Sequence, residues 1–526
     1  MSDEWRINKL KQRLAALSAE LDQARVELAR AERKRDVFRS ELWAANKELD
    51  WLRRQGAPAS SETPVTAAGR AQARVRARSN ALDFALSGPD GHAPIRDGAL
   101  ASAWPRLDAP AAGPAARAFS PPLRIATIGD WRSPLGETSE PGLVVGQVGD
   151  PQVEAADVLV FPRSENMDFA ERAGAAPEAL WRRAQEGQVT IVLDSSNEAY
   201  RWWPGHSRAM HDFLASRGVD PAHAVHLTQD RLYRPDYEAW CAREGLRPMR
   251  IVVFDAFIGR TLQVLKASGR QVFERRLEAF ARRPGHRSRR LLSLNFAPRP
   301  TKLLLLLRLI RDGLWDQGWL SFGGFANDGE IAKQGKAAVM SRLAGLNGFA
   351  DEAEALAPYA DELEAIGPVL FGMDAGEPSQ RLEADELPQY GDSWFTVVTE
   401  SEMFARPHRI TEKPLKPLLN LHPFLVLGNP GSLKLLRGYG FETYSDIFDE
   451  RYDEETDPRR RFDMVYDQVR KLCALDEAEL ARMTDQVAEI LVFNACWGLE
   501  ELPRRFSDTI AVEVIDQLRP RSPPAP

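Results

Sequence analysis

The residues best suited to chemistry in this 526-residue chain lie between positions 393 and 431. Ser393-Trp-Phe-Thr-Val-Val-Thr-Glu400 is a β-rich run that ends on a carboxylate. Ile410-Thr411-Glu412-Lys413-Pro-Leu-Lys416 sets a carboxylate and an ammonium side by side where a helix opens with Pro414 in its first turn. His422-Pro-Phe-Leu-Val-Leu-Gly428-Asn-Pro-Gly431 is a second apolar run closed by a turn. A helix start carries N–H groups that its own helix leaves unsatisfied, and an adjacent lysine adds a full positive charge, which suits phosphate. A carboxylate at the same place can accept hydrogen bonds from sugar hydroxyls. The blander reading is that Glu412 and Lys413 are a solvated pair decorating a helix start.

Strands and helices must hold these groups in place. Short β-rich runs at 123–128, 144–148, 158–161, 189–193, 224–227 and 250–254 alternate with helix-like stretches such as 177–186 and 207–217. A second series follows: strand-like 289–295, helical 300–313, strand-like 394–399, helical 414–420 and strand-like 423–427. Such alternation predicts parallel sheets joined by crossovers. Two α/β halves in tandem, 123–286 and 287–518, leave a cleft between them, where ligands of such sheets usually sit.

The pattern resembles the α-1,3/4-fucosyltransferases (glycosyltransferase family ten) and a looser group of bacterial and phage relatives. Thr411-Glu412-Lys413 matches that family's signature at the start of the donor-site helix, with Glu400 on the preceding strand. Leu292-Ser-Leu-Asn295 leading to Arg299 matches a Ser-Asn strand followed by an arginine at a helix head. The run 156–161, followed by Val189-Thr-Ile-Val-Leu-Asp194-Ser-Ser-Asn-Glu198, occupies the place of a strand that ends in a Glu-Ser-Pro turn. Order and spacing agree over residues 123–445, with low identity outside the motifs. The resemblance implies an α/β fold of two Rossmann-like domains (GT-B) and an inverting glycosyltransferase that uses a nucleotide-sugar donor. It also implies a donor site of Asn295, Arg299, Glu400, Thr411, Glu412 and Lys413, with Arg299 and Lys413 on the diphosphate; Arg409, in the loop before Thr411, can approach the donor phosphates or serve the loop alone. The general base that takes the acceptor proton is Glu198 or Asp194, since Asp-Ser-Ser-Asn-Glu is not Glu-Ser-Pro. The run 429–457 also departs from the fucosyltransferases, so the donor sugar need not be fucose. No Asp-x-Asp occurs in the chain, so no metal or other cofactor is expected.

Ahead of the body, Ile7, Leu14, Leu21, Leu28, Arg35, Leu42 and Leu49 recur every seven residues. Offset by three run Leu10, Leu17, Ala24, Ala31, Phe38, Ala45 and Leu52. These are a and d positions of a coiled coil about 70 Å long over residues 1–55, and self-association through 7–52 is expected. Residues 56–122, rich in Ala, Pro, Ser and Gly, read as a tether with a basic cluster at Arg70, Arg74, Arg76 and Arg78; 519–526 read as a tail. The net charge of −7 divides into +5 through residue 120 and −12 beyond it. An acidic body argues against nucleic acid, while the basic front suits peripheral contact with an anionic membrane. Three scattered cysteines and no apolar run of about 20 residues point to a cytoplasmic protein without a membrane span. The expected acceptor is a glycan or lipid-linked glycan of bacterial surface polysaccharide synthesis.

Other motifs are set aside. Gly329 to Lys336 has five residues between its glycines and lacks the Ser/Thr of a phosphate loop; Gly142, Gly146 and Gly149 have turn spacing. Asp446, Asp449, Asp453 and Asp457 lack the spacing of a calcium loop. His422 reads as a packed, hydrogen-bonded histidine. His408 can approach the donor phosphates, and Trp202 and Trp203 can stack on an acceptor sugar or pack in the core.

Overall fold

Runs such as Val158-Leu-Val-Phe-Pro162 and Thr190-Ile-Val-Leu-Asp194 are buried along their whole length, as strands of a parallel sheet covered on both faces are. The computed structural model describes residues 119–520 except 120, 132, 139, 163–168, 197–201, 269–275, 278, 281–285, 327–334, 347, 372–387 and 404–408. The coiled coil expected at 1–55, nearly all of the tether and residues 521–526 lie outside the described residues. All described residues belong to one unit, 67–526.

The first sheet holds β1 (Leu123–Thr127), β2 (Leu143–Gln147), β3 (Val158–Pro162), β4 (Thr190–Asp194), β5 (Ala224–Thr228) and β6 (Arg250–Val253). Every pairing is parallel, in the order β2-β1-β3-β4-β5-β6. The helices between them are α1 (Phe169–Ala173), α2 (Glu178–Gln185), α3 (Pro204–Ser216) and α4 (Tyr233–Glu244), and α5 (Ala256–Ser268) follows β6. Alternate strand residues face opposite ways. Leu159, Phe161, Ile191 and Leu193 enter one core with Trp181 and Phe213, while Val158, Val160 and Val192 enter a core continuous with the second half of the chain.

The second sheet holds β7 (Leu291–Ser293), β8 (Gly318–Leu320), β9 (Phe395–Thr399) and β10 (Phe424–Leu427), all parallel, in the order β10-β9-β7-β8. Relative to each sheet's first strand, this repeats the order of the first four strands of the other sheet. Sequence inspection missed β8, because three residues beginning with glycine show no alternation. Helix α6 (Pro300–Arg311) is buried continuously from Thr301 to Ile310, an apolar helix covered all round. It packs against α8 (Ala350–Ile366), as does α7 (Gly335–Ala344). Next come α9 (Leu415–Leu419), α10 (Ser432–Gly438), α11 (Pro458–Ala474), α12 (Glu477–Gln486) and α13 (Ala488–Cys496).

The chain then returns to the first sheet. Phe506 packs on Phe254 with ring centroids 5.5 Å apart, and the ring stands where a Cβ on Gly259 would lie 2.4 Å from it, so α5 needs a glycine there. Arg250 Nη1 donates to the Gln517 carbonyl and Arg519 Nη2 to the Pro121 carbonyl, each at 2.8 Å. The end of the stretch 287–518 expected to belong to the second half, with Arg519 of the expected tail 519–526, therefore also packs against the first. Among the described residues no helix is long and apolar enough to cross a membrane, and Cys241, Cys473 and Cys496 are buried free thiols.

Candidate functional site

In an open parallel sheet, the crevice for a ligand lies beyond the carboxyl ends of the strands where strand order reverses. In the first sheet that place is between β1 and β3, and Arg172 closes it by donating to the carbonyls of Ile128 and Pro162. In the second sheet it lies between β7 and β9, where most of the residues singled out in the sequence meet.

Asn295, two residues past β7, is fully buried. Its backbone N–H donates to Ser321 Oγ at 2.7 Å, its Nδ2 to Ser293 Oγ at 3.0 Å, and its Oδ1 accepts from Thr399 Oγ1 at 2.7 Å. Its amide thus stitches β7 to the ends of β8 and β9, which makes it a positioning group. Glu400, directly after β9, accepts from Thr411 Oγ1 with both carboxylate oxygens, at 2.6 and 2.8 Å. Lys413 Nζ lies 3.1 Å from Glu412 and 3.8 Å from Glu400. Gly428, after β10, lies where a Cβ would come 3.0 Å from Glu400 Cγ, so the two strand ends pack closely.

Arg299 is the N-cap of α6, whose first turn carries Lys302. Lys302 is buried within electrostatic reach of Lys413, Glu412, Arg299 and Glu400. Arg409 in turn acts on Lys413, and Lys416 on Glu412. Among the described residues, five basic side chains therefore gather around two carboxylates. Burial pushes the Lys302 ammonium down, helped by Lys413 and Arg299, to about 7. Burial likewise lowers Lys416. Burial opposes the charge on Lys413, but Glu412 and Glu400 outweigh it and hold its pKa above the ordinary lysine value. Burial also opposes the Glu412 carboxylate, and Lys413 and Lys416 outweigh it, leaving its pKa below the ordinary range. The site is a net-positive cluster with two carboxylate acceptors, set in an acidic body.

The helix after Glu412-Lys413 is shorter than expected, five residues from Leu415 to Leu419, too short for a helix dipole to add much at Thr411. The N-terminus at this place belongs instead to the twelve-residue α6. The turn after β10 does not serve as an anion cradle: the N–H groups of Leu433 and Lys434 on α10 donate to the Asp453 carboxylate at 2.9 and 3.0 Å. Asp449 and Asp457 cap helices in the same way, so the aspartate cluster is capping chemistry.

The two candidate bases fare differently. Asp194, at the end of β4, is fully buried; its carboxylate accepts from Trp131 Nε1 at 2.6 Å and from Ser196 N at 2.7 Å. Burial raises its pKa. Glu198 and His408 lie outside the described residues. Trp202 donates to Ser207 Oγ at 3.0 Å, and Trp203 stacks on His206 at 5.0 Å, so both rings are engaged in packing. His422 is buried, bonded to Thr396 Oγ1 and the Ser393 carbonyl at 2.7 Å, and pushed down to about 3 by burial and Arg287. Lys336 pairs with Asp361 and Glu364.

Sequence inspection missed two residues. Lys302 stands before a run of five leucines and reads as an ordinary helix-surface lysine, yet it comes three residues after Arg299, on the same helix face. Arg461, on α11, is buried and donates to the carbonyls of Gly428 at 2.8 Å, Glu455 at 2.6 Å and Met403, tying together the loops that leave β9 and β10. Nothing in its local sequence signals this. Comparison of the chain with models of known protein families, with curated proteins and with solved structures finds no match.

Proposed function

We propose that the chain is an inverting glycosyltransferase of the two-Rossmann-domain (GT-B) kind, which binds the diphosphate of a nucleotide-sugar donor at the carboxyl ends of β7 and β9. The observation that carries this reading is the cluster of Arg299, Lys302, Arg409, Lys413 and Lys416 around Glu400 and Glu412, at the point where strand order reverses. The acceptor hydroxyl oxygen attacks the anomeric carbon, the bond from that carbon to the diphosphate oxygen breaks, and its electron pair leaves with the nucleoside diphosphate. Arg299 and Lys413 stabilise that growing charge, and the carboxylates orient the sugar through its hydroxyls. The acceptor proton passes to Glu198. Asp194 is the poorer base, because it is fully buried and two hydrogen bonds already occupy its carboxylate.

The acceptor in this reading is a glycan or lipid-linked glycan of bacterial surface polysaccharide synthesis, and the heptads of 7–52 multimerise a cytoplasmic enzyme. The sealed state of Asp194 favours a second reading, a coiled-coil scaffold whose body binds nucleotide sugar without turnover. Calorimetric titration with ADP, GDP and UDP in the presence of EDTA, with a transfer assay, separates them. Lys413→Ala should bind the preferred diphosphate about ten- to a hundredfold more weakly, as loss of a charge-assisted contact implies. Glu198→Gln should bind normally and turn over about 10²–10⁴-fold more slowly. Unchanged binding by Lys413→Ala would remove the donor site. Binding without any transfer would leave the scaffold, and turnover lost in EDTA but restored by manganese would end the metal-free mechanism.

A further inference from the structure

We propose, resting on the diphosphate reading above, that Lys302 is a direct ligand of the donor diphosphate and takes up a proton as it binds, making donor binding stronger at lower pH. Lys302 is 6% exposed, and no described residue hydrogen-bonds its ammonium. A lysine that deep is ordinarily paired. The groups facing it are Arg299 from its own helix, Glu400 from the end of β9, and Glu412 and Lys413 from the loop before α9. Lys416 and Arg409 stand behind Glu412 and Lys413. Both carboxylates are already committed, Glu400 to Thr411 and Lys413, and Glu412 to Lys413.

A second group on the same turn points to the same ligand. Thr301 Oγ1 is buried without a hydrogen-bond partner, and the N–H groups of Thr301 and Lys302 fall in the first turn of α6, ahead of any intrahelical acceptor. One phosphate at this helix start could satisfy the hydroxyl, the N–H groups and the ammonium together. A single carboxylate would leave most of the surrounding positive charge unmatched, whereas a diphosphate spans more of it.

Burial and the neighbouring cations hold Lys302 near 7, so without a bound anion it is only partly ionised at neutral pH. A bound diphosphate favours the charged form and raises that value. The affinity due to this group is complete below 7 and falls about tenfold for each pH step above it, until the raised value is reached. Lys413, raised, and Glu412, lowered, keep their charges through this range.

The test uses the full chain with inorganic pyrophosphate as probe, titrated calorimetrically at pH 6.5, 7.5 and 8.5 in buffers of different ionisation heat, which counts the protons exchanged. The wild type should take up more protons per pyrophosphate than Lys302→Met, which should bind about tenfold or more weakly at pH 6.5. Lys302→Arg, charged throughout, should bind with the smaller proton uptake of Lys302→Met and guards against a variant that fails to fold. If either variant shows the wild-type proton uptake, or Lys302→Met binds as tightly as wild type, the proposal is overturned while the diphosphate site stands. If pyrophosphate does not bind the wild type, the diphosphate reading falls as well.

Discussion

Replacing Lys302 with methionine should make the protein more stable at neutral pH, by an amount that shrinks as pH rises. The ordinary lysine value of 10.5 falls to about 7 in the folded chain. At about 1.4 kcal/mol for each pK step, ionised Lys302 is disfavoured by the fold by about 5 kcal/mol. Below pH 7 that whole deficit is present. Between 7 and 10.5 the unfolded chain binds more protons than the folded one, so stability climbs with pH, and above 10.5 the deficit is gone. Methionine keeps the length and apolar stem without the charge. The variant should therefore gain about 4 kcal/mol at pH 7 and about 3 kcal/mol at pH 8.5, with structural relaxation and water penetration reducing both. Urea unfolding midpoints of the full chain at pH 6.5, 7.5 and 8.5, compared at equal transition slopes, measure this. The two proteins should converge as pH rises. A variant less stable at pH 7, or a midpoint gap independent of pH, would refute the reasoning. A more stable variant that binds pyrophosphate less well is the expected signature of a charge kept for function at the expense of the fold.

Two further outcomes follow from other parts of the chain. Arg461→Met strands the carbonyls of Met403, Gly428 and Glu455, and although it relieves a guanidinium that burial pushes down to about 10, it should destabilise by about 2–4 kcal/mol in urea unfolding; a loss under about 1 kcal/mol would show that water replaces the arginine. Deleting residues 1–120, which carry the heptads at 7–52, should lower the oligomeric mass seen by light scattering while the body stays folded, and an unchanged oligomeric state would contradict the coiled-coil reading.

What the sequence determined alone is local. Runs of four to seven residues rich in aliphatic and aromatic side chains marked nine of the ten described strands, because strands buried on both faces leave a largely apolar signature whatever their neighbours are. Glu400 and Thr411-Glu412-Lys413 stood out because strand ends and helix starts expose polar groups in a fixed order along the chain. The register that sets Leu291 beside Phe395, about a hundred residues on, could not be read this way, nor could the reversal of strand order that makes their carboxyl ends a crevice. Pairing depends on which faces bury each other, and a one-dimensional pattern records burial but not the partner. The same reason hid Lys302 and Arg461. Each is an unremarkable cation in its own helix, and each acquires its role only when burial removes water and leaves it to carboxylates, carbonyls or a ligand brought in from other strands.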